Sequence, residues 1–287
     1  MKTVILTGAN GFVGRQAIIP LIERNYVVHA VSNTLPTVDL IFENVVWHQA
    51  DLLNQDKTAK FCEKVKATHL LHFAWYVEHG EFWNSRENET WLDASVNLIE
   101  QFKTNGGERI VVSGTCAEYE WGVDKILSEN KTPLKPNSIY GECKLELHKR
   151  LADFEISQAW GRIFFLFGEF EHPNRLISSV IKSLLNNEYA DCSHGRQIRD
   201  LMYVADVADA FAALLDSDVQ GVVNIGSGKE RTIREVVLKT ARLLGKSELV
   251  RFGKIQPSSV EPQSLVANTA RLNGEVKWQE KNRKPFV

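Results

Sequence analysis

KTVILTGANGFVGRQAIIPLIERN (residues 2–25) decides the fold. KTVILT (2–7) is a short β-branched run suited to a buried strand, and AIIPLIERN (17–25) carries its apolar residues at helical spacing. Between them TGANGFVG (7–14) sets glycines at 8, 11 and 14, for a tight turn, a close approach of phosphate to the backbone, and tight packing of helix on strand. A phosphate would sit at the positive N-terminus of that helix. Two residues separate each pair of glycines, so the spacing departs by one residue from the common dinucleotide fingerprint.

The rhythm continues outward. Strands are expected near 2–7, 26–32, 45–49, 68–73, 109–114 and 158–165, with helices between them, which predicts an α/β fold with a doubly wound parallel sheet. From about residue 166 the alternation breaks into short elements. We therefore expect a dinucleotide-binding Rossmann domain over 1–165, with part of 195–230 returning to it, and a smaller substrate-binding α/β lobe over 166–287.

Composition narrows the function classes. The chain has 287 residues and a net charge of −2, without the basic face of a nucleic-acid binder. No segment has the apolar length of a membrane span, and no signal peptide is expected because the first strand begins at Lys2. Cys62, Cys116, Cys143 and Cys192 are dispersed, as reduced thiols of a cytoplasmic protein would be. His69 and His72 would point to opposite faces of a strand, so no metal site is expected.

Chemistry enters with IYGECKLELHKRL (139–151). Tyr140 and Lys144 are four residues apart, hence on one helical face, and an ammonium group beside a phenol lowers the phenol's pKa toward proton exchange. PLKPNS (133–138) reads as the loop leading into that helix.

With these motifs in order, the chain resembles the extended short-chain dehydrogenases of the epimerase/dehydratase type that act on nucleotide sugars. TGANGFVG matches their phosphate loop, Asp51-Leu52 their adenine-contacting pair, and HFAW (72–75) the loop after the fourth strand. Asn97 matches a recurrent helical asparagine, SGTCAEY (113–119) the strand end that supplies a catalytic hydroxyl, and Tyr140 with Lys144 the acid/base pair. GRQIRDLMYVADVADA (195–210) and VVNIGSGKERTIREV (222–236) are similar to the family's Arg-Asp segment and nucleotide-side loop.

The resemblance implies catalysis by Thr115, Tyr140 and Lys144. It implies cofactor contacts from Gly8, Asn10, Gly11, Phe12, Val13, Gly14, Arg15, Ser32, Asn33, Asp51, Leu52, Ala74, Trp75, Tyr140 and Lys144. Substrate contacts are expected from Thr115, Phe165, Asn174, Arg175 and Arg199, with Arg199 clamping the pyrophosphate. Where the family adds an arginine in a late RPGD segment, this chain reads IQPSSVEPQ (255–263), so the clamp is weaker or is completed by Arg175, Arg196 or Arg271. A homodimer formed through two helices per subunit, one bearing Tyr140, is also implied.

At the end of the second strand Ser32 and Asn33 stand where NAD enzymes usually carry a carboxylate, and Arg15 could meet a 2′-phosphate, so NADP(H) is expected over NAD(H). Dehydratases of the family carry Asp-Glu directly after the catalytic threonine. Cys116 and Ala117 occupy those positions here, which removes the acid and base of dehydration. Cys116 falls one residue short of the cysteine used by epimerase-reductases, and is expected to be a small buried thiol.

Phe165, and one of Trp75, Trp83 and Trp91, suggest an apolar pocket suited to a deoxysugar. The expected activity is reduction of a nucleotide-linked 4-keto-6-deoxyhexose in deoxysugar or surface polysaccharide synthesis. A 4-epimerase with tightly held NAD is the alternative. A non-catalytic dinucleotide sensor or scaffold is a third reading, which would need the glycine loop but not Thr115, Tyr140 and Lys144.

Overall fold

The computed structural model describes residues 2–34, 36, 40, 42–256 and 261–281. Strands β1 (Lys2–Thr7), β2 (Tyr26–Ser32), β3 (Val45–Gln49), β4 (His69–His72) and β5 (Arg109–Thr115) alternate with helices α1 (Gly14–Glu23), α2 (Gln55–Val65) and α3 (Glu87–Thr104). After the short β6 (Ile126–Leu127) come α4 (Ile139–Leu151) and β7 (Ser157–Ile163). The second half contains β8 (Phe165–Phe167), α5 (Leu176–Leu185), β9 (Ala190–Cys192), β10 (Ile198–Arg199), β11 (Leu201–Tyr203), α6 (Val204–Asp216) and β12 (Gly221–Ile225). It ends with β13 (Arg231–Thr232), α7 (Ile233–Leu243), β14 (Val250–Phe252), β15 (Ser264–Ala267) and α8 (Ala270–Gly274).

The main sheet has the order β12-β7-β5-β4-β1-β2-β3, and every neighbouring pair is parallel. Its strands read as near-continuous apolar runs because helices cover both faces. Helices α1 and α6 pack together on one face, and α2, α3 and α4 on the other. Nearly all residues of α6 are buried, which accords with its alanine-rich, apolar sequence. Asp209 on α6 ties down the chain's end, accepting bonds from Arg24, Trp278 and Lys281.

Strand order reverses between β1 and β4, and ligands of such sheets bind beyond the strand ends at that switch. A buried polar lock closes it. Thr7 at the end of β1 accepts the amides of Phe73 and Ala74, each at 3.1 Å, and donates to His72 Nδ1 at 2.7 Å. His72 Nε2 then donates to Ser95 Oγ at 2.9 Å, since that hydroxyl donates to Trp91 O. Burial pulls the His72 pKa down to about 3, with Lys144 adding to the effect, so the ring is a neutral strut.

Strand β7 ends at Ile163, two residues earlier than the sequence pattern predicts. Phe165 turns its amide to Asp200 O, and β8 pairs with β11 instead of extending the sheet. A second sheet, β13-β10-β15-β6, draws β6 from the segment between β5 and α4, where two residues are too few to register as a strand in a sequence pattern. Strands β9 and β14 pair beside α5 and α7.

Thr7→Val would leave the amides of Phe73 and Ala74 and the His72 nitrogen without their partner. It is expected to lower unfolding stability by at least about 2 kcal/mol, at about 1–3 kcal/mol per unsatisfied buried group, read from the denaturant midpoint.

Candidate active site

Gly8 has φ +65°, and a Cβ there would lie 3.0 Å from Ala74 N. A Cβ on Gly14 would fall 2.1 Å from Gly8 O, so the start of α1 can fold against the loop only with glycine at that position. Helix α1 begins with no side-chain cap and no acidic residue in its first turn. Arg15 N and Gln16 N are bonded within the turn to Gly11 O and Val13 O, so a dinucleotide pyrophosphate would meet the positive end of the helix at the loop amides ahead of them. Phe12 and Val13 are half-buried beneath this turn, and Val13 packs on the core.

Beside the loop lies a cavity of about 320 Å³ lined by Gly8, Asn10, Gly11, Ser32, Asn33, Asp51, Leu52, Ala74 and Trp75, together with Trp91. Its polar end is a hydroxyl and amide cluster: Asn10 Nδ2 donates to Thr34 Oγ1 at 3.1 Å, which lies 3.3 Å from Ser32 Oγ. Asp51 accepts the Leu53 amide at 3.1 Å, and Leu52 is buried. These residues fit the adenosine half of a dinucleotide, with hydroxyls and no carboxylate at the end of β2. Arg15 lies 3.4 Å over the ring of Phe170, which joins the first turn of α1 to the loop after β8.

The catalytic candidates converge at the end of β5. Thr115 begins a 3-10 turn (Cys116–Glu118), and its hydroxyl accepts the Ala117 amide at 3.2 Å while its side chain is near enough to Tyr140 to lower the phenol's pKa. Ser138 caps α4 by accepting the Gly141 amide. Helix α4 packs against the turn because Gly141 carries no side chain: a Cβ would sit 2.6 Å from Ala117 O.

Lys144 is 2% exposed. Its Nζ donates to Ser113 O at 2.9 Å and lies 3.8 Å over the Trp75 ring. Burial pulls its pKa down to about 7, and Glu118 opposes that pull. The expectation that Lys144 lowers the phenol's pKa is corrected here. Burial pushes the half-buried Tyr140 phenol above its ordinary value, with the Thr115 side chain the strongest opposing influence and Arg175 a further one. The Lys144 ammonium is instead directed to Ser113 O and Trp75.

An aromatic wall borders Tyr140. Phe82 and Trp83 meet its ring edge-to-face at 5.0 and 5.8 Å, and Trp121 meets Trp83 at 6.1 Å. Of the three tryptophans singled out in the sequence, Trp83 alone stacks on Tyr140; Trp75 and Trp91 line the adenosine-side cavity. Cys116 is buried and its thiol is pushed up to about 12, which makes it a poor base.

Arg199 is buried and bonds Glu261 at 2.7 Å and Ile198 O at 2.8 Å, with its guanidinium 5.3 Å from the Phe165 ring. Asp200 gathers Ser227, Gly228 and Ala267 around its carboxylate. Of the late IQPSSVEPQ stretch, 257–260 lie outside the described residues, and Glu261 is what meets Arg199. Arg271 is held by Glu275 and the carbonyls of Gln220 and Val222 at the β12 edge, which removes it as a clamp. Arg196 is exposed. Asn174 and Arg175 lie in the loop between β8 and α5, where His172 stacks on His79 at 4.5 Å. Arg175 is close enough to Tyr140 to lower its pKa.

The family model described as the NAD dependent epimerase/dehydratase family matches residues 4–226. The chain belongs to this family. It is thus an NAD(P)-dependent enzyme of the short-chain dehydrogenase/reductase type. Among its relatives, a UDP-glucose 4-epimerase of Oryza sativa is 25% identical, the match covering 98% of this chain and 78% of the relative. A dTDP-6-deoxy-L-talose 4-dehydrogenase (NAD(+)) of Aggregatibacter actinomycetemcomitans is 26% identical, with 82% and 87% covered. The fold is that of the Thermus thermophilus UDP-glucose 4-epimerase in its NAD complex, at a TM-score of 0.84 and 22% identity, covering 98% of this chain and 94% of that one.

One residue of this epimerase/dehydratase site escaped the sequence. Glu118 lies in the quoted SGTCAEY, yet it is fully buried and bonds Thr115 N, Trp160 and Arg162. A glutamate beside an apolar run was the available signal, and its partner Arg162 is 44 residues away.

Lys144 also sets a stability trend. Its folded pKa lies near 7 against an ordinary 10.5, so below pH 7 the buried charge opposes folding in full. Between those values the unfolded chain binds more protons and stability rises with pH. Lys144→Met is therefore expected to raise the melting temperature at pH 6.5, with an advantage that shrinks toward pH 10, while it abolishes turnover.

Proposed function

We propose that this enzyme is an NADPH-dependent reductase of a nucleotide-linked 4-keto-6-deoxyhexose. The observation that carries this reading is the wall of Phe82, Trp83 and Trp121 beside Tyr140, an apolar surface suited to a sugar with a methyl group at C6. Cys116 and Ala117 stand directly after Thr115, and the carboxylate of the same turn, Glu118, is taken up by Thr115 N, Trp160 and Arg162, so the turn offers no free acid or base for dehydration. The relative named as a dTDP-6-deoxy-L-talose 4-dehydrogenase supports action at C4 of a deoxysugar.

Bound across the loop at Gly8–Gly14, the dinucleotide supplies hydride to the carbonyl carbon. Thr115 orients the carbonyl oxygen and Tyr140 delivers its proton there. Burial keeps the phenol protonated, so it has a proton to give. Lys144, half protonated near pH 7, provides positive charge next to the developing alkoxide. Arg175 is the guanidinium we assign to the substrate's diphosphate, because Arg199 is already engaged by Glu261. Ser32 and Asn33 favour NADPH, as neither repels a 2′-phosphate, and Arg15 adds positive charge at the same loop. We assign the protein as a homodimer through α3 and α4, whose outer groove carries Leu92, Leu134 and Leu145.

A 4-epimerase is the second reading. The Oryza sativa relative, a UDP-glucose 4-epimerase, favours it, and the same Thr115, Tyr140 and Lys144 would serve.

Two measurements test these readings. Tyr140→Phe is expected to lower turnover of a dTDP-4-keto-6-deoxyglucose panel by about 100-fold or more; unchanged turnover would refute the mechanism. Freshly purified protein is expected to carry no stoichiometric dinucleotide and to oxidise NADPH when the panel is added. Retained NAD at one per chain would instead support epimerisation.

A further inference from the structure

Glu118 is a buried carboxylate that the mechanism above does not use. Its Oε1 accepts Thr115 N at 2.8 Å and Trp160 Nε1 at 2.9 Å, and its Oε2 accepts Arg162 Nε at 2.6 Å. With the Thr115 hydroxyl it forms a reciprocal capping box, so the backbone of the catalytic threonine is held from its own turn. The groups that face it are Tyr140, Lys144 and His148 on α4, Arg162 and Trp160 on β7, and Cys116 and Tyr119 in the turn. His72 on β4 completes the surroundings of Lys144.

We propose that Glu118 is a positioning residue of this site, fixing Thr115 at the end of β5 and holding Lys144 in its ammonium form. Burial keeps His72 neutral, and keeps Cys116 and Tyr119 protonated. The charges at this turn include the carboxylate of Glu118 and the cations Arg162 and Lys144, while Asp200 and Arg199 act on Cys116 and Glu129 on Tyr119. Arg162 keeps its proton under all ordinary conditions. Among the described residues its Nη1 and Nη2 have no hydrogen-bond partner, and its ion pair is with Glu118. Lys144 Nζ on Ser113 O and Glu118 Oε1 on Thr115 N meet β5 two residues apart, so without Glu118 the buried ammonium loses the carboxylate that offsets its burial and can discharge by releasing a proton.

The kinetic arm of the test rests on the reading of Tyr140 and Lys144 as the proton-transfer pair; the titration arm does not. Lysine labelled with ¹³C at Cε, with the Lys144 signal assigned by its absence from Lys144→Met, gives the Lys144 midpoint in the whole protein without substrate. Glu118→Gln keeps an acceptor for Thr115 N and removes the charge. It is expected to move that midpoint down by about one pH unit or more. The alkaline limb of the turnover profile should move in the same direction, since losing the charge lowers the pKa values of both Lys144 and Tyr140. If Glu118→Gln is too unstable to purify, Glu118→Gln with Arg162→Met removes both members of the buried pair, and a smaller downward shift should remain, because loss of the Arg162 cation acts in the opposite sense. A Lys144 midpoint unchanged from wild type in a folded variant overturns the proposal. Turnover that survives Tyr140→Phe would sink the reductase reading and leave the titration result standing.

Discussion

The buried pair of Glu118 and Arg162, joined at 2.6 Å, is the interaction on which the site's geometry depends. One carboxylate ties the end of β5 to the interior of β7 and also holds the turn that presents Thr115. Removing one partner of such a pair typically costs about 3–5 kcal/mol, because the other is left as an uncompensated buried charge. The arrangement tolerates little movement. Lys144 shares this interior, which is why its pKa near 7 reflects both its burial and the distant residue that partly offsets it.

Two close backbone approaches place the halves of the site. Gly14 lets the start of α1 contact Gly8 O, and Gly141 lets α4 contact Ala117 O. The first holds the amide cradle at the switch point of the sheet. The second brings Tyr140 to Thr115. The lock of Thr7, His72 and Ser95 keeps the β4 loop, with Ala74 and Trp75, between those two contacts. A single strand-end layer thus joins the adenosine-side cavity to the aromatic wall at Tyr140.

Much of this was legible in local pattern. The first five strands of the main sheet fall within a residue or two of their expected positions, because buried parallel strands are short apolar runs bounded by turn residues. Ser32, Asn33, Asp51 and Leu52 line one cavity because each ends or follows a strand on the same side of the switch point. The fates of the arginines were not legible. Arg199 is expected from the sequence to clamp a pyrophosphate, and it pairs with Glu261, 62 residues further on. Its partner follows from the parallel pairing of β10 with β15, a register that no local motif encodes.

Sequence alone determined the order of elements, the glycine cradle and the placing of Tyr140 and Lys144 on one helical face, since these depend on spacing within a single turn or helix. Tertiary structure decided what those groups experience. The Tyr140 phenol is raised by burial despite a lysine four residues away, and Lys144 is directed to Ser113 O and Trp75. Glu118 became part of the site only once β5, β7 and α4 were packed together. Electrostatic effects depend on distance and on exclusion of water in three dimensions, and neither can be read from separation along the chain.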